Sequence, residues 1–203
     1  MKRIIPFLIF LISFNSQAVF EVSGNFGYDK NVYGDQRQNK QTDRTYSASF
    51  AVYLLAYTAV EFSYSESEQI TSENNESQIA GSGFSIVSLE NTVKNTIYSV
   101  SIKQAFARRK ARFRPALSLG YAKFEILDKT SYVFRDDSDG STFTSTESPT
   151  RSREDSFYVN FSLQIRLTRA LSLQGSVQSV MPGFEFDQAR DNLRYLAGFS
   201  WFF

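Results

Sequence analysis

From about Phe20 to Phe203 the chain alternates apolar and polar side chains, and one of the two parities is free of charge. Eight segments carry the pattern: about Phe20–Tyr28, Thr45–Leu54, Thr58–Tyr64, Ile97–Ile102, Phe113–Tyr121, Phe157–Leu167, Leu171–Val177 and Arg194–Phe203. A strand turns successive side chains to opposite faces, so a period of two means sheet with two unlike faces. No helical stripe competes with it. The charge-free parity reads Phe20, Val22, Phe26, Tyr28 in the first segment, Tyr46, Ala48, Phe50, Val52, Leu54 in the second, and Tyr195, Ala197, Phe199, Trp201, Phe203 in the last. The other parity holds serines, amides and ions, among them Glu21, Ser49, Glu61, Lys103, Arg114, Ser162, Gln164, Arg166 and Arg194.

Two architectures make such a pattern. A soluble sandwich or lipocalin-like barrel buries the apolar face, whereas a membrane barrel turns it outward to lipid. The connections choose between them. Those at about Leu55–Tyr57, Gln104–Arg112 and Thr168–Ala170 are short, while about Asp29–Arg44, Ser65–Thr96, Ala122–Ser156 and Gln178–Leu193 are long and polar. Short and long alternate strictly, as they must when all turns of one kind lie at one end of a barrel. Transmembrane barrels have short periplasmic turns and long external loops. Aromatic placement agrees. Tyr28, Tyr46, Tyr64, Tyr98, Tyr121, Phe157 and Tyr195 share the apolar parity and fall near the long-loop ends, with Phe20, Phe113, Trp201 and Phe203 near the short-turn end. Amphipathic rings favour the boundary between water and hydrocarbon, so two bands predict two girdles. The fold expected is all-β: an eight-stranded antiparallel up-and-down transmembrane barrel.

Gly24 and Gly27 are expected to mark bends, and Pro115, which cannot donate to a ladder, a bulge or frayed end. Gln78–Leu89 alternates partially, consistent with a hairpin extension outside the membrane or with an additional spanning strand that would require a hidden second one.

Residues 1–18 read as a signal peptide. Lys2 and Arg3 form a basic start, Ile4 to Phe14 an apolar run too short to span, and Ser16-Gln17-Ala18 a small-x-small cleavage site. Residues 19–203 are then the exported barrel domain. The full chain of 203 residues has 22 Lys and Arg against 21 Asp and Glu, with no His and no Cys. Imidazole catalysis, His-ligated metals, disulfides and thiolate chemistry are therefore excluded. A net charge of +1 argues against a globally basic nucleic-acid binder.

The last residues, Tyr195-Leu196-Ala197-Gly198-Phe199-Ser200-Trp201-Phe202-Phe203, resemble the C-terminal sorting signal of bacterial outer-membrane barrels, with Tyr195, Ala197, Phe199, Trp201 and Phe203 on its apolar parity. Arg114-Pro115-Ala116-Leu117-Ser118-Leu119-Gly120-Tyr121-Ala122 resembles a strand of the small barrels, a group that includes OmpA/OmpX-like and OmpW-like proteins. The resemblance implies an outer-membrane location in contact with lipid and lipopolysaccharide, and periplasmic chaperones and the barrel-assembly machinery as partners. No nucleic-acid partner is expected from the charge balance, and a monomer is expected. With no segment after Phe203, the peptidoglycan-binding module of larger OmpA-like proteins is not expected.

Eight strands enclose a space that side chains nearly fill. Charges in such a lumen need partners, because an unpaired ion in a narrow interior pays a large desolvation cost. Glu21 and Glu61 are therefore expected to pair with Lys103, Arg114 and Arg166 in the periplasmic half and with Arg194 near the outer end, forming a polar plug. The competing reading of the same residues is an anion- or solute-conducting constriction. No cofactor or metal site is expected. Asp136-Asp137-Ser138-Asp139-Gly140, with Glu147, is similar to a calcium loop, but Ser141 replaces the glycine that such a loop needs at its sixth position, and a solvated turn is the simpler reading. Glu66, Glu68, Glu73 and Glu76 read as a solubilising external cluster. Arg108-Arg109-Lys110 with Arg112 reads as a basic cluster at a periplasmic turn, near lipid head groups. Outer-membrane lipases, deacylases, omptin-like proteases and the palmitoyltransferase-like barrel are associated with a catalytic His, which this chain lacks, so enzyme activity is not expected. The function expected is structural or interactive, with external loops displayed on a plugged barrel. A narrow channel for small or hydrophobic solutes and a soluble exported ligand-binding barrel remain as alternatives.

Overall fold

The computed structural model describes residues 19–33, 39–74, 76–79, 81–183 and 193–203, so the signal-peptide reading of residues 1–18 lies outside the described residues. The elements in order are β1 (Val19–Tyr33), β2 (Asn39–Tyr53), β3 (Thr58–Glu73), β4 (Ser77–Ile79), β5 (Phe84–Ala105), β6 (Phe113–Asp136), β7 (Thr142–Thr146), β8 (Thr150–Arg166), β9 (Leu171–Pro182) and β10 (Arg194–Phe202). Eight of them form a ring, β1-β2-β3-β5-β6-β8-β9-β10, antiparallel throughout. The first strand closes on the last, with Glu21 opposite Phe202 and Phe26 opposite Ala197. Closure removes the free edge that an open sheet would expose in hydrocarbon, where no water is present to satisfy it.

The alternation is resolved outward. Phe50, Phe161 and Phe199 are 41%, 46% and 54% exposed on the outer wall, while Ser162 on the opposite parity is 1% exposed inside. Aromatic and β-branched side chains on the outer rows suit a pleated surface, and small hydroxyls on the inner rows suit a tube of this bore. At three inward positions, Gly27, Gly120 and Gly198, even a methyl group is too large, and a Cβ on Gly27 would lie 2.8 Å from the Tyr195 carbonyl oxygen. A Cβ on Gly120 would lie 2.1 Å from the Val100 carbonyl oxygen, and one on Gly198 would lie 1.9 Å from that of Gly24. Gly24, whose missing side chain would point outward, has open space there.

The connections at the short-turn end are Leu54–Tyr57, Phe106–Arg112 and Leu167–Ala170, as the sequence predicts within a residue or two. The opposite end differs from expectation. Much of Ser65–Thr96 and Ala122–Ser156 is strand, because β3, β5, β6 and β8 continue far beyond the apolar belt. At about 3.3 Å per residue, the 22 residues of β5 and 24 of β6 run roughly 70–80 Å, whereas crossing a bilayer takes about 9–11 residues. The Gln78–Leu89 segment is a hairpin extension: β4 pairs with the start of β5 across a turn whose Gly81 and Gly83 have φ of 78° and 72°. Beyond the ring, β4 and β7 flank β5 and β6, making a four-stranded blade. The register shift falls between Ile86 and Ser88, on the blade, and not at Pro115. Pro115 lies just outside the β5–β6 ladder, which begins at Ala105 opposite Ala116.

Candidate functional site

The lumen near the short-turn end holds four ions within one contact network. Glu21 projects inward from β1, Glu61 from β3, Lys103 from β5 and Arg114 from β6, and each is no more than 3% exposed. The Lys103 ammonium donates to Glu21 Oε1 at 2.9 Å and to Glu61 Oε2 at 2.8 Å. Glu21 also accepts from Tyr53 at 2.5 Å, from Arg114 Nη1 at 3.5 Å and from Gln164 Nε2. Glu61 Oε1 accepts from Ser118 at 2.9 Å. Gln164 bridges further, accepting from Arg114 at 3.2 Å and donating to Gln174 at 3.1 Å. The Arg114 guanidinium lies over Tyr53 and Phe202, 4.8 Å and 5.0 Å from the ring centroids, where ring quadrupoles attract a desolvated cation. All eight ring strands thus supply a side chain. Two carboxylates face two cations, so the set is neutral, which is what a buried group of ions requires.

Above this layer hydroxyls link across the strands: Ser23 to Ser49 at 2.6 Å and Ser63 to Ser99 at 2.5 Å. The luminal cavity lined by Asn25, Ser47, Ser63, Tyr158, Gln174 and Gln178 has a volume of about 10 Å³, room for one water. Higher still, Ile97, Ala122, Phe124, Tyr158 and Val180 pack together inside the tube. The interior therefore changes from ionic to hydroxylic to apolar along the axis.

Two of the six proposed luminal ions stand apart from the network. Arg166 is the last residue of β8, and its guanidinium reaches down to the turns, donating to the carbonyls of Thr168 and Lys110, both at 2.9 Å. Its parity is inward, but the strand ends there, so backbone oxygens at the rim are nearer than the carboxylates. Arg194 begins β10 at the far end, opposite Gln178, where among the described residues Asp43 is the carboxylate that acts on it.

No family model matches the chain, and no curated protein matches it. Among solved structures it is similar to the N-terminal β-barrel domain of Pseudomonas aeruginosa OprF, at 15% identity and a TM-score of 0.52, covering 92% of this chain and 100% of that one. It is also similar to the outer membrane protein OprG of Pseudomonas aeruginosa, at 12% identity and a TM-score of 0.54, covering 92% and 96%. The fold is that of the small transmembrane barrels. At these identities the likeness is one of architecture.

The aromatic positions sit on the outer wall of this barrel. Tyr28, Tyr46, Tyr64, Tyr98, Tyr121 and Tyr195 are exposed and Phe157 is half-buried; Tyr64 and Tyr98 are register partners with ring centroids 5.3 Å apart. At the other rim Phe20, Phe113, Trp201 and Phe203 are exposed, as are Phe199 and Ala197 on the same face of β10. In the blade turn Asp136 accepts from the Ser138 amide and Asp139 from the Ser141 amide, both at 2.8 Å, so these carboxylates cap backbone donors. The external glutamates are partly paired: Glu68 with Lys94 at 3.0 Å, and Glu76 with Arg135. Tyr53, Phe202 and Tyr158 are contributors that polarity alone does not reveal, since each looks like another apolar residue. Their parity is the signal: Tyr53 follows Ser47 and Ser49 inward, and Tyr158 precedes Asn160 and Ser162.

Proposed function

We infer that this protein is an integral barrel of the bacterial outer membrane, with a shut lumen and a structural or interactive role exercised through its projecting hairpins. The observation that carries the reading is the neutral four-ion network of Glu21, Glu61, Lys103 and Arg114, which receives a side chain from every ring strand and sits beneath a nearly filled interior. An ion moving through this bore must displace side chains already paired across it, and the apolar layer around Ile97 and Phe124 adds a second barrier. Export fits the basic-apolar-small order of residues 1–18, and the belt around Phe50, Phe161 and Phe199 fits contact with lipid and lipopolysaccharide. Delivery by periplasmic chaperones, insertion by barrel-assembly machinery reading the apolar face of β10, and a monomeric state belong to the same reading. So does the expectation that the chain is not an enzyme, since its sequence offers no His as a general base.

Planar-bilayer recording on the purified, refolded protein tests the reading. A membrane that stays at baseline, with only rare unresolved events, is expected. Stable and reproducible openings of uniform size would overturn it in favour of a narrow channel.

A further inference from the structure

The short-turn end of the barrel carries an unbalanced positive charge around a cavity. Arg108, Arg109, Lys110 and Arg112 lie on the β5–β6 turn, and Arg166 and Arg169 at the β8–β9 turn. Five of these six line an open cavity of about 1080 Å³, with Arg112 in the adjoining groove. No acidic side chain lines either one. Among the described residues none of the six cations forms a salt bridge, and the closest luminal carboxylates, Glu21 and Glu61, are already held by Lys103, Arg114 and their hydrogen-bond partners. The two turns are tied into one surface by the bond from Arg166 to the Lys110 carbonyl, which fixes the spacing of the cations on either side. One wall is apolar, formed by Val19, Ala56, Phe202 and Phe203.

Like charges gathered with no acidic side chain among them repel, and an anion placed among them relieves that repulsion. Guanidinium groups favour phosphate oxygens, which they engage through two parallel N–H bonds. The cavity is of the size that encloses a small molecule. We propose that this end of the barrel is a binding site for a phosphate-bearing anion, held by Arg108, Arg109, Lys110 and Arg169 from two facing turns, with Arg166 positioning the turns. The chemistry is shared by a soluble oligophosphate and by the headgroup of an anionic phospholipid whose chains would meet the apolar wall. The proposal rests on the fold alone and is independent of whether the lumen conducts.

The test uses full-length mature protein folded in neutral detergent, titrated calorimetrically with tripolyphosphate, and in parallel native mass spectrometry of protein from nanodiscs mixing anionic and zwitterionic phospholipid. Three proteins are compared: wild type, the quadruple variant R108Q/R109Q/K110Q/R169Q, and a control, K40Q/K129Q/R151Q/R153Q, that removes as many cations from the other end. All four target side chains are exposed at the turns, and the heat-dependent gel shift verifies folding of each variant. Wild type and control are expected to bind alike, with affinity falling as salt rises, and the quadruple variant to lose at least about tenfold. Tripolyphosphate binding identifies the soluble source; retention of anionic lipid with no tripolyphosphate binding identifies the headgroup. No binding in either arm, or equal loss in the control and quadruple variants, overturns the proposal.

Discussion

The same pairings of lysine or arginine with glutamate occur in two settings in this molecule. Inside the ring, Lys103 meets Glu21 and Glu61 with about 1% of each side chain exposed; on the projecting hairpins, Lys94 meets Glu68 with about half and a third exposed. The distances are nearly equal, 2.8–3.0 Å, so geometry does not distinguish the two. The surroundings do. In water the attraction is screened and the ordering of two long side chains offsets most of it, whereas a buried ion deprived of its partner keeps a full desolvation penalty. The inner pairs hold the barrel because removing one partner is ruinous, and the outer pairs are close to optional.

The comparison breaks most visibly at Lys103. Lys103→Met leaves Glu21 and Glu61 facing each other with only Arg114 to balance them, and a loss of about 3–5 kcal/mol is expected in urea unfolding in micelles or vesicles. A loss below about 1 kcal/mol would mean that water reaches the network and that the inside is no different from the outside. The wall glycines sharpen the contrast with less at stake. Gly120→Ala drives a methyl group into the Val100 carbonyl and is expected to cost about 1–3 kcal/mol, read as a lower temperature for the heat-dependent gel shift. Gly175→Ala, pointing outward into open space, is expected to leave that temperature unchanged or raise it slightly. On the hairpins, Lys94→Ala is expected to cost about 0–1 kcal/mol, and even that to vanish in high salt.

The smallest effect is in the blade turn, where the Ser141 amide donates to Asp139 and holds its carboxyl below the ordinary aspartate value. A lowered folded-state value means that the contribution is present above the ordinary aspartate range and is lost as pH falls through the folded-state value. Carboxyl titration by NMR is expected to show a low midpoint for Asp139, returning to the ordinary range in Ser141→Pro, which lacks the donor.

What the sequence discloses follows the same division. In the membrane the two faces of each strand meet unlike surroundings, so the alternation of Phe50 with Ser49, or of Phe161 with Ser162, marks the strands, and the short and long connections between them give the orientation. Beyond the apolar belt the outward face is polar as well. The strand Ser65 to Glu73 reads Ser-Glu-Ser-Glu-Gln-Ile-Thr-Ser-Glu, and no alternation separates it from a polar loop, although its register with β5 is unbroken. The site divides similarly. Charge and parity place Glu21, Glu61, Lys103 and Arg114 in one lumen, but parity does not state height along the axis, so Arg166 and Arg194 look equivalent to them until the strand ends are known. Tyr53 and Phe202 escape notice because an aromatic ring is expected on the lipid side. Their partner, a cation needing a π-face, lies more than fifty residues from each in the chain.

The strands β5 and β6 run without a break from the short turn at Phe106–Arg112 to the tip of the blade. A pull on that tip, directed away from the bilayer, therefore draws both strands lengthwise past β3 and β8. The many backbone bonds along those two borders are loaded simultaneously in shear, where an outward tug on an ordinary loop would unzip its anchors in turn. Whatever grips the blade pulls against the wall of the barrel itself.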